Sequence, residues 1–253
     1  MGIRRGSIST PIIADGLVFN MDPANRASTV PSSTTSKTFN TLDTSISGSF
    51  INDTIYDSST ISPSYAFDGT GDYIAVSPLA TSAPIFNSPT NFSINLAFNS
   101  INFASSSNPK LFTKGDDVGS NRALWTWDVT AKQKSGNNQV RWNVSDGSAL
   151  AFNGNTTGNL STNTWYIVCC TYAVGAGGNI YLNGVLNQSV ATNTGTTPNT
   201  ETGRVSIARE RNGGSGHGSD FFYGNIGCVQ YYNRALSANE VLHNYNALKS
   251  RFE

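Results

Sequence analysis

The chain has 253 residues, of which 38% are hydrophobic and 13% charged, and its 16 basic and 16 acidic side chains cancel to zero net charge. A chain of this length buries roughly 70–75% of the surface its unfolded form exposes, enough for a single core without metal or disulfide staples. Neutrality leaves no basic footprint of the kind that phosphate backbones or anionic membranes attract, so neither nucleic acid nor a membrane is expected as a partner.

Asn, Ser and Thr make up about a third of the chain, yet it also holds 13 Phe, 10 Tyr and 4 Trp. Disordered chains are poor in aromatics and rich in charge, so this polar content reads as turn chemistry and solvated strand faces on a folded body. Cys169, Cys170 and Cys228 are odd in number and lack metal-ligand spacing, which points to buried free thiols. Adjacent strand residues face opposite ways, so at most one of Cys169 and Cys170 is expected in the core. The apolar run after Arg4 and Arg5 closes at Asp15-Gly16, too short for a secretory signal, and folding in the cytosol is expected.

Residues 1–60 read as an amino-terminal arm and edge segments of the same domain. A strand is predicted at 17–19, and the Ser/Thr-rich stretch 27–60 is read as loops and short edge strands that bury Phe39, Phe50, Ile51, Ile55 and Tyr56. Residues 61–253 read as a β-sandwich. Short apolar runs cut by turn residues predict strands at 65–67, 73–76, 92–98, 111–113, 123–129, 139–144, 165–172, 179–182, 185–190, 205–208 and 224–232. Asn183-Gly184 supplies two residues tolerant of positive φ, which a two-residue hairpin turn demands. Ser237 and Glu240 fit a capping box ahead of Val241, Leu242, Tyr245 and Leu248, predicting a helix at about 238–250 that packs on the sandwich. The fold class is therefore all-β, an antiparallel sandwich with a short carboxyl-terminal α-helix.

Three landmarks occur in order: Phe67-Asp68-Gly69-Thr70-Gly71-Asp72-Tyr73-Ile74, then Trp165 with Tyr181-Leu182-Asn183-Gly184, then Gly224-Asn225-Ile226 leading to Tyr232-Asn233-Arg234-Ala235-Leu236-Ser237. Together they resemble laminin G-like, concanavalin A-like jelly rolls over residues 60–250. That resemblance implies a jelly-roll sandwich with Trp165 at the start of an inner strand. The two ends, Gly16-Leu17-Val18-Phe19-Asn20-Met21-Asp22 with Asn25-Arg26, and Glu240 to Ala247 with Lys249-Ser250-Arg251-Phe252, look like the termini of virion structural proteins of tailed phages, particularly those infecting marine bacteria. Related domains often carry an Asp directly after the Ile of the closing strand, where it helps ligate a structural calcium. Here Gly227 follows Ile226, and Asp68 and Asp72 remain as metal candidates or as turn residues bonded to local backbone. No cofactor is expected.

Glycosidases of this shape carry acids in an E-x-D-x-x-E strand, and no such strand exists among the four glutamates Glu201, Glu210, Glu240 and Glu253. His217 lies in a Gly-rich run that offers no rigid support for a catalytic triad, so the chain is expected not to be an enzyme. Sugar sites stack an aromatic ring and surround it with hydrogen-bonding side chains. Trp125, Trp127 and Trp142 offer rings, with Asn121, Arg122, Asp128, Gln139, Arg141 and Asn143 beside them in sequence. Trp125 and Trp127 share one strand face, which is either a sugar platform or core. Phe221, Phe222 and Tyr223 form a further candidate contact patch.

The expected role is a virion-associated structural protein of a tailed phage, a capsid decoration or tail or fibre part, assembled in the host cytoplasm and adhesive through a lectin-like surface. A free carbohydrate-binding module is the alternative and a glycoside hydrolase a more distant one. Expected partners are other virion proteins, further copies of the chain and a cell-surface glycan, with Arg4, Arg5, Ile8, His243 and Tyr245 as the candidate assembly interface.

Overall fold

The computed structural model describes residues 11–29, 36–58, 62–77, 84–87, 90–104, 107–117, 125–191, 197–199, 204–209, 211–212 and 220–253, of which 116–117, 125 and 211–212 are described by backbone alone. The strands run in chain order as β1 (Leu17–Met21), β2 (Lys37–Phe39), β3 (Ser47–Ile51), β4 (Ile55–Asp57), β5 (Ser64–Asp68) and β6 (Tyr73–Ser77). The long strands follow: β7 (Asn91–Ser100), β8 (Lys110–Asp117), β9 (Trp125–Lys134), β10 (Asn137–Ser145), β11 (Leu150–Asn155) and β12 (Trp165–Ala173). The chain closes with β13 (Gly177–Leu182), β14 (Val185–Val190), β15 (Val205–Ile207), β16 (Arg211–Asn212), β17 (Tyr223–Tyr232) and helix α1 (Ala238–Leu248).

These strands form two sheets. One has eight strands ordered β14-β13-β12-β7-β17-β5-β4, with β1 also on β17. The other has nine, ordered β11-β10-β9-β8-β15-β6-β3-β2, with β16 on β8. All these pairings are antiparallel except β16 with β8. The amino-terminal segment contributes to both sheets, since β1 pairs with β17 while β3 pairs with β6. Phe19 and Met21 of β1 are fully buried and Ile46 nearly so, whereas Ile55, expected inside, stands exposed at the edge of the eight-stranded sheet.

Two-residue alternation explains how the sheets meet. From β7 the side chains of Phe92, Ile94, Leu96 and Phe98 point inward, from β9 Trp127, Val129 and Ala131, and from β10 Val140, Trp142 and Val144. Trp127 packs against Phe112 (ring centroids 4.8 Å) and Tyr231 (5.7 Å), and Trp142 against Phe152 (4.8 Å) and Phe92 (5.9 Å). Both tryptophans are 0% exposed. They are core, and the proposed sugar platform does not exist at these two positions. Trp125 opens β9 and only its backbone is described.

The outer side of the eight-stranded sheet is covered as well. Cys169, Tyr181 and Tyr232 pack against Leu236 and Val241, while Ala97, Ile167 and Cys228 pack against Leu248 and Phe252. All three cysteines are buried and free, and the adjacent pair faces opposite ways as expected: Cys170 lies in the core between the sheets and Cys169 on the other side under α1. Burial pushes all three thiols up, Cys228 to about 12, which keeps them protonated and unreactive at neutral pH. Trp165 belongs to the outer layer rather than the inner one, half-buried against Phe252 at 4.8 Å. The same Phe252 ring accounts for Gly227, because a Cβ there would sit 2.3 Å from its Cε1.

The closing motif is a clamp on the start of α1. Arg234 reaches Glu240 through both terminal nitrogens (Nη2 to Oε1 2.6 Å, Nη1 to Oε2 3.0 Å) and Asp15 through Nε at 2.8 Å. Glu240 accepts from the Ser237 amide at 2.8 Å while Ser237 Oγ accepts from the Glu240 amide, completing the capping box. Arg251 holds Asp22 in a second two-pronged pair at 2.7 and 2.8 Å. The Asn183-Gly184 turn has φ of 51° and 78°, as its hairpin requires.

Trp127→Ala and Trp142→Ala are each expected to cost about 3–5 kcal/mol in urea unfolding, as for other large-to-small core changes. A cost near zero would place the ring outside the core. The Arg234 hydrogen bonds lower the Glu240 carboxyl from 4.5 to about 2. Its stabilising contribution is therefore complete above about pH 4.5 and is lost as the pH falls toward 2. Glu240→Gln should destabilise by about 1 kcal/mol at pH 7, with the gap to the parent closing in the same acid range.

Candidate functional site

The alternation that buries the tryptophans turns a polar row outward on the nine-stranded sheet. On β9 it is Asp128, Thr130 and Lys132, and the register sets Asn143, Arg141 and Gln139 of β10 directly opposite. Asn155 and Asn153 of β11 continue the row beside Arg141 and Asn143, and Lys110 of β8 flanks Thr130 on the other side.

The floor of this face is a network centred on Asp128. Lys110 Nζ donates to Oδ2 at 2.9 Å, while Thr130 Oγ1 and Asn143 Nδ2 donate to Oδ1 at 2.8 and 3.1 Å. Lys110, Asp128, Thr130 and Asn143 are all buried, Asn143 at 4% exposure, whereas Arg141, Lys132, Gln139 and Asn155 are partly open and Asn153 is exposed. Burial opposes ionisation of Asp128, but the Lys110 and Arg141 charges and the Lys110 and Thr130 hydrogen bonds outweigh it and hold the carboxyl below its ordinary range. One flank is fixed by Asn108, whose amide donates to Asp220 Oδ1 at 2.8 Å and whose Oδ1 accepts from Lys132 Nζ at 2.9 Å.

Among the described residues three buried polar atoms of this face have no hydrogen-bond partner: Arg141 Nε, Asn143 Oδ1 and Asn155 Oδ1. Buried polar groups are normally paired, and each one left unpaired costs about 1–3 kcal/mol. Two acceptors and a cationic donor on neighbouring strands form a set that a hydroxyl-rich molecule satisfies.

Of the residues expected to bind sugar, Arg141 lies on this face with Asp128, Gln139 and Asn143, while Trp127 and Trp142 lie behind it. The expected cluster had combined both faces of the same strands. Lys110, Thr130, Lys132 and Asn155 were missed, although the outward alternation of Lys132, Gln139 and Arg141 was available as a signal. Asn121 lies outside the described residues, as do Arg4, Arg5 and Ile8.

The metal candidates sit elsewhere, at the turn that carries the chain from one sheet to the other between β5 and β6. Asp72 accepts the Asp53 amide through Oδ1 at 2.9 Å and the Asp68 amide through Oδ2 at 3.1 Å, and Asp68 accepts the Thr70 amide at 2.6 Å. Both serve as turn clamps. They line a cavity of about 260 Å³ with Ile55, Ile101 and Tyr223, but among the described residues no group of three His, Cys, Asp or Glu is placed to share a metal ion. Phe222 is core, Tyr223 is exposed beside this cavity, and Phe221 stacks on Arg209 at 4.7 Å. Of the assembly candidates, His243 Nε2 bonds the Pro11 carbonyl at 2.8 Å and Tyr245 packs on the Gly184 turn, so both are engaged within the chain.

Residues 68–242 match the family model of the concanavalin A-like lectin/glucanases superfamily. The chain belongs to this superfamily. No curated protein sequence matches it. Domain 4 of AbnA, a GH43 extracellular arabinanase from Geobacillus stearothermophilus seen with arabinotriose, is 18% identical with a TM-score of 0.55, over 77% of this chain and 82% of that one. Trypanosoma rangeli sialidase is 16% identical with a TM-score of 0.62, over 97% of this chain and 37% of that one. A botulinum neurotoxin type C structure, whose cell entry depends on two ganglioside molecules, is 13% identical with a TM-score of 0.62, over 92% of this chain and 51% of that one. These likenesses establish the concanavalin A-like fold and leave chemistry to the residues.

Because Asp72 accepts two backbone amides and Asp68 one, and no third metal-ligating group is placed to share an ion with them among the described residues, calcium or a chelator is expected to leave the thermal midpoint unmoved. Asp72→Ala, which strands two amides, should cost about 1–3 kcal/mol. A midpoint that rises with calcium and falls with chelator would restore the metal reading.

Proposed function

We propose that this protein is a glycan-binding β-sandwich that holds its ligand on the outward face of β9, β10 and β11 and does not cleave it. The observation that carries this reading is the cluster of Arg141 Nε, Asn143 Oδ1 and Asn155 Oδ1, buried without partners among the described residues beside the bonded Asp128–Lys110–Thr130 network. Vicinal hydroxyls donate and accept at the spacing of neighbouring side chains, so a sugar meets both kinds of group. Membership of a lectin/glucanase superfamily supports the substrate class. Hydrolysis needs two carboxylates with separated protonation states, and the described part of the β8–β11 face offers Asp128 alone, held ionised against Lys110. That supports binding without turnover.

The finer reading places the domain on a tailed-phage virion, as an adhesive decoration or a tail or fibre part that assembles with further copies and other virion proteins. Its support is the likeness of the two ends to virion proteins, together with their docking on each other. Asp22 pairs with Arg251, Asp15 with Arg234, and the Ile13 amide with buried Asn244 at 2.8 Å. The segments that carry the likeness thus form one structural unit.

On an array of immobilised oligosaccharides the purified protein is expected to be retained, with Asn143→Ala and Asn155→Ala each weakening retention about tenfold, one lost hydrogen bond's worth, while Asn155→Ala melts as the parent does. Retention that survives both changes would reject this face. Quantitative mass spectrometry of density-purified particles from the source lysate should find the chain at a fixed ratio to the major capsid protein; its absence would remove the virion assignment and leave a free lectin.

A further inference from the structure

Among the described side chains the face carries more cations than acids around Arg141. Lys110, Arg141, Lys132 and, at its far end, Lys134 are set against Asp128 on the sheet and Asp220 on the adjoining segment. The acids are already engaged: Asp128 by Lys110 at 2.9 Å, and Asp220 Oδ1 by the Asn108 amide. Lys132 donates to a neutral acceptor, Asn108 Oδ1. Among the described residues Arg141 has no ion pair and no side-chain hydrogen bond, and its Nε is buried. Burial, followed by the Arg141 and Lys110 charges, pushes the Lys132 ammonium down against the opposing pull of Asp220, the signature of cations crowded together. Arg209 likewise has its guanidinium over the rings of Tyr73 (4.9 Å) and Phe221 (4.7 Å), with its Nε unpartnered among the described residues.

Neutral hydroxyls can answer the hydrogen-bonding needs of such a face but not its charge. A guanidinium partly withdrawn from water, whose nearby carboxylate Asp128 is already paired with Lys110, has charge left to satisfy, and its planar fork fits the two oxygens of a carboxylate or sulfate. Asn143 Oδ1, buried and unpartnered two residues along β10, sits where a sugar hydroxyl next to that anion would donate.

We infer that the glycan bound by this face is anionic, presenting a carboxylate or sulfate ester to Arg141 with Lys132 alongside. The inference rests on the glycan-binding reading above and specifies its ligand. Arg141 fixes the anion by a two-pronged contact, Lys132 contributes charge, and Asn143 and Asn155 read the adjoining hydroxyls.

Titration calorimetry of the full chain with an oligogalacturonate, its fully methyl-esterified form, a sulfated galactan oligosaccharide and a neutral galactan oligosaccharide tests this. The expected result is binding of the galacturonate or the sulfated probe that weakens tenfold or more on esterification or in the neutral sugar. Binding should also fall steeply as salt rises, in keeping with a charge-paired contact. Arg141→Gln should remove most of that preference, and Lys132→Gln part of it, with unchanged melting curves showing that both variants fold. Preference for galacturonate identifies a carboxylate as the anion, and preference for the sulfated galactan a sulfate ester. Equal binding of the ester, or binding of the neutral probe alone, would overturn the anionic inference while leaving a glycan-binding face intact. Binding of no probe here and no retention on the oligosaccharide array would overturn both.

Discussion

The packing of Trp127 and Trp142 between the two sheets is the constraint on which the rest of the molecule depends. Each indole occupies an inward position on a strand with strict two-residue alternation, and each meets aromatic rings contributed by the opposite sheet, Tyr231 and Phe92 among them. Once these rings face inward, Asp128, Arg141 and Asn143 must face outward, because a one-residue slip would turn the tryptophans to water and the charged groups into the core. The polar face is thus a geometric consequence of the core. Both indole Nε1 atoms are left without a partner by this arrangement, so the aromatic packing and apolar burial carry their cost as well.

The two faces of the sandwich then have different fates. The outside of the eight-stranded sheet is covered by α1, Phe252 and the segment around Ile12 and Ile13, and several of its polar residues pair among themselves, although Asn99 Oδ1 stays unpartnered among the described residues. Asn95 donates to Gln230 at 2.8 Å, and Gln230 to Asn20 at 3.3 Å. The outside of the nine-stranded sheet has no such helix over it among the described residues, and there the pairing stops short at Arg141, Asn143 and Asn155. A shared fold therefore presents one face covered by the helix and chain ends and one without such a cover among the described residues, and functional chemistry is argued from the latter.

The ends of the chain show how a motif becomes mechanics. The run from Tyr232 to Ser237 with Glu240 ties the last strand, the helix start and Asp15 through one guanidinium, and Tyr232 Oη donates to the Ile13 carbonyl at 3.1 Å. The opening motif does a comparable task at the crossing between sheets, where Asp72 gathers amides from two loops. Residues that read as ligand candidates in one dimension are committed to backbone in three.

Much of the architecture was legible from local pattern. Alternation marked all the long strands except β11, Asn183-Gly184 fixed a hairpin through its positive φ, and Ser237 with Glu240 fixed the helix start, because each is decided by neighbours a few positions away; β11, whose run Leu150 to Asn155 is broken by Asn153 and Gly154, was not predicted. The candidate site was half legible, since Asp128, Gln139, Arg141 and Asn143 were noticed but grouped with tryptophans of the opposite face. Which face of a strand becomes core is decided by what the other sheet presents, and no local pattern carries that. For the same reason the cover over Trp165 and Cys169 was not legible: the layer that packs on them arrives from α1 and Phe252, more than 60 residues later in the chain. By itself the sequence determined the strands, the turns and the superfamily, which depend on short-range sterics and hydrogen bonding. Only the tertiary structure decided which polar groups were left unpaired, because that depends on the packing of both sheets at once.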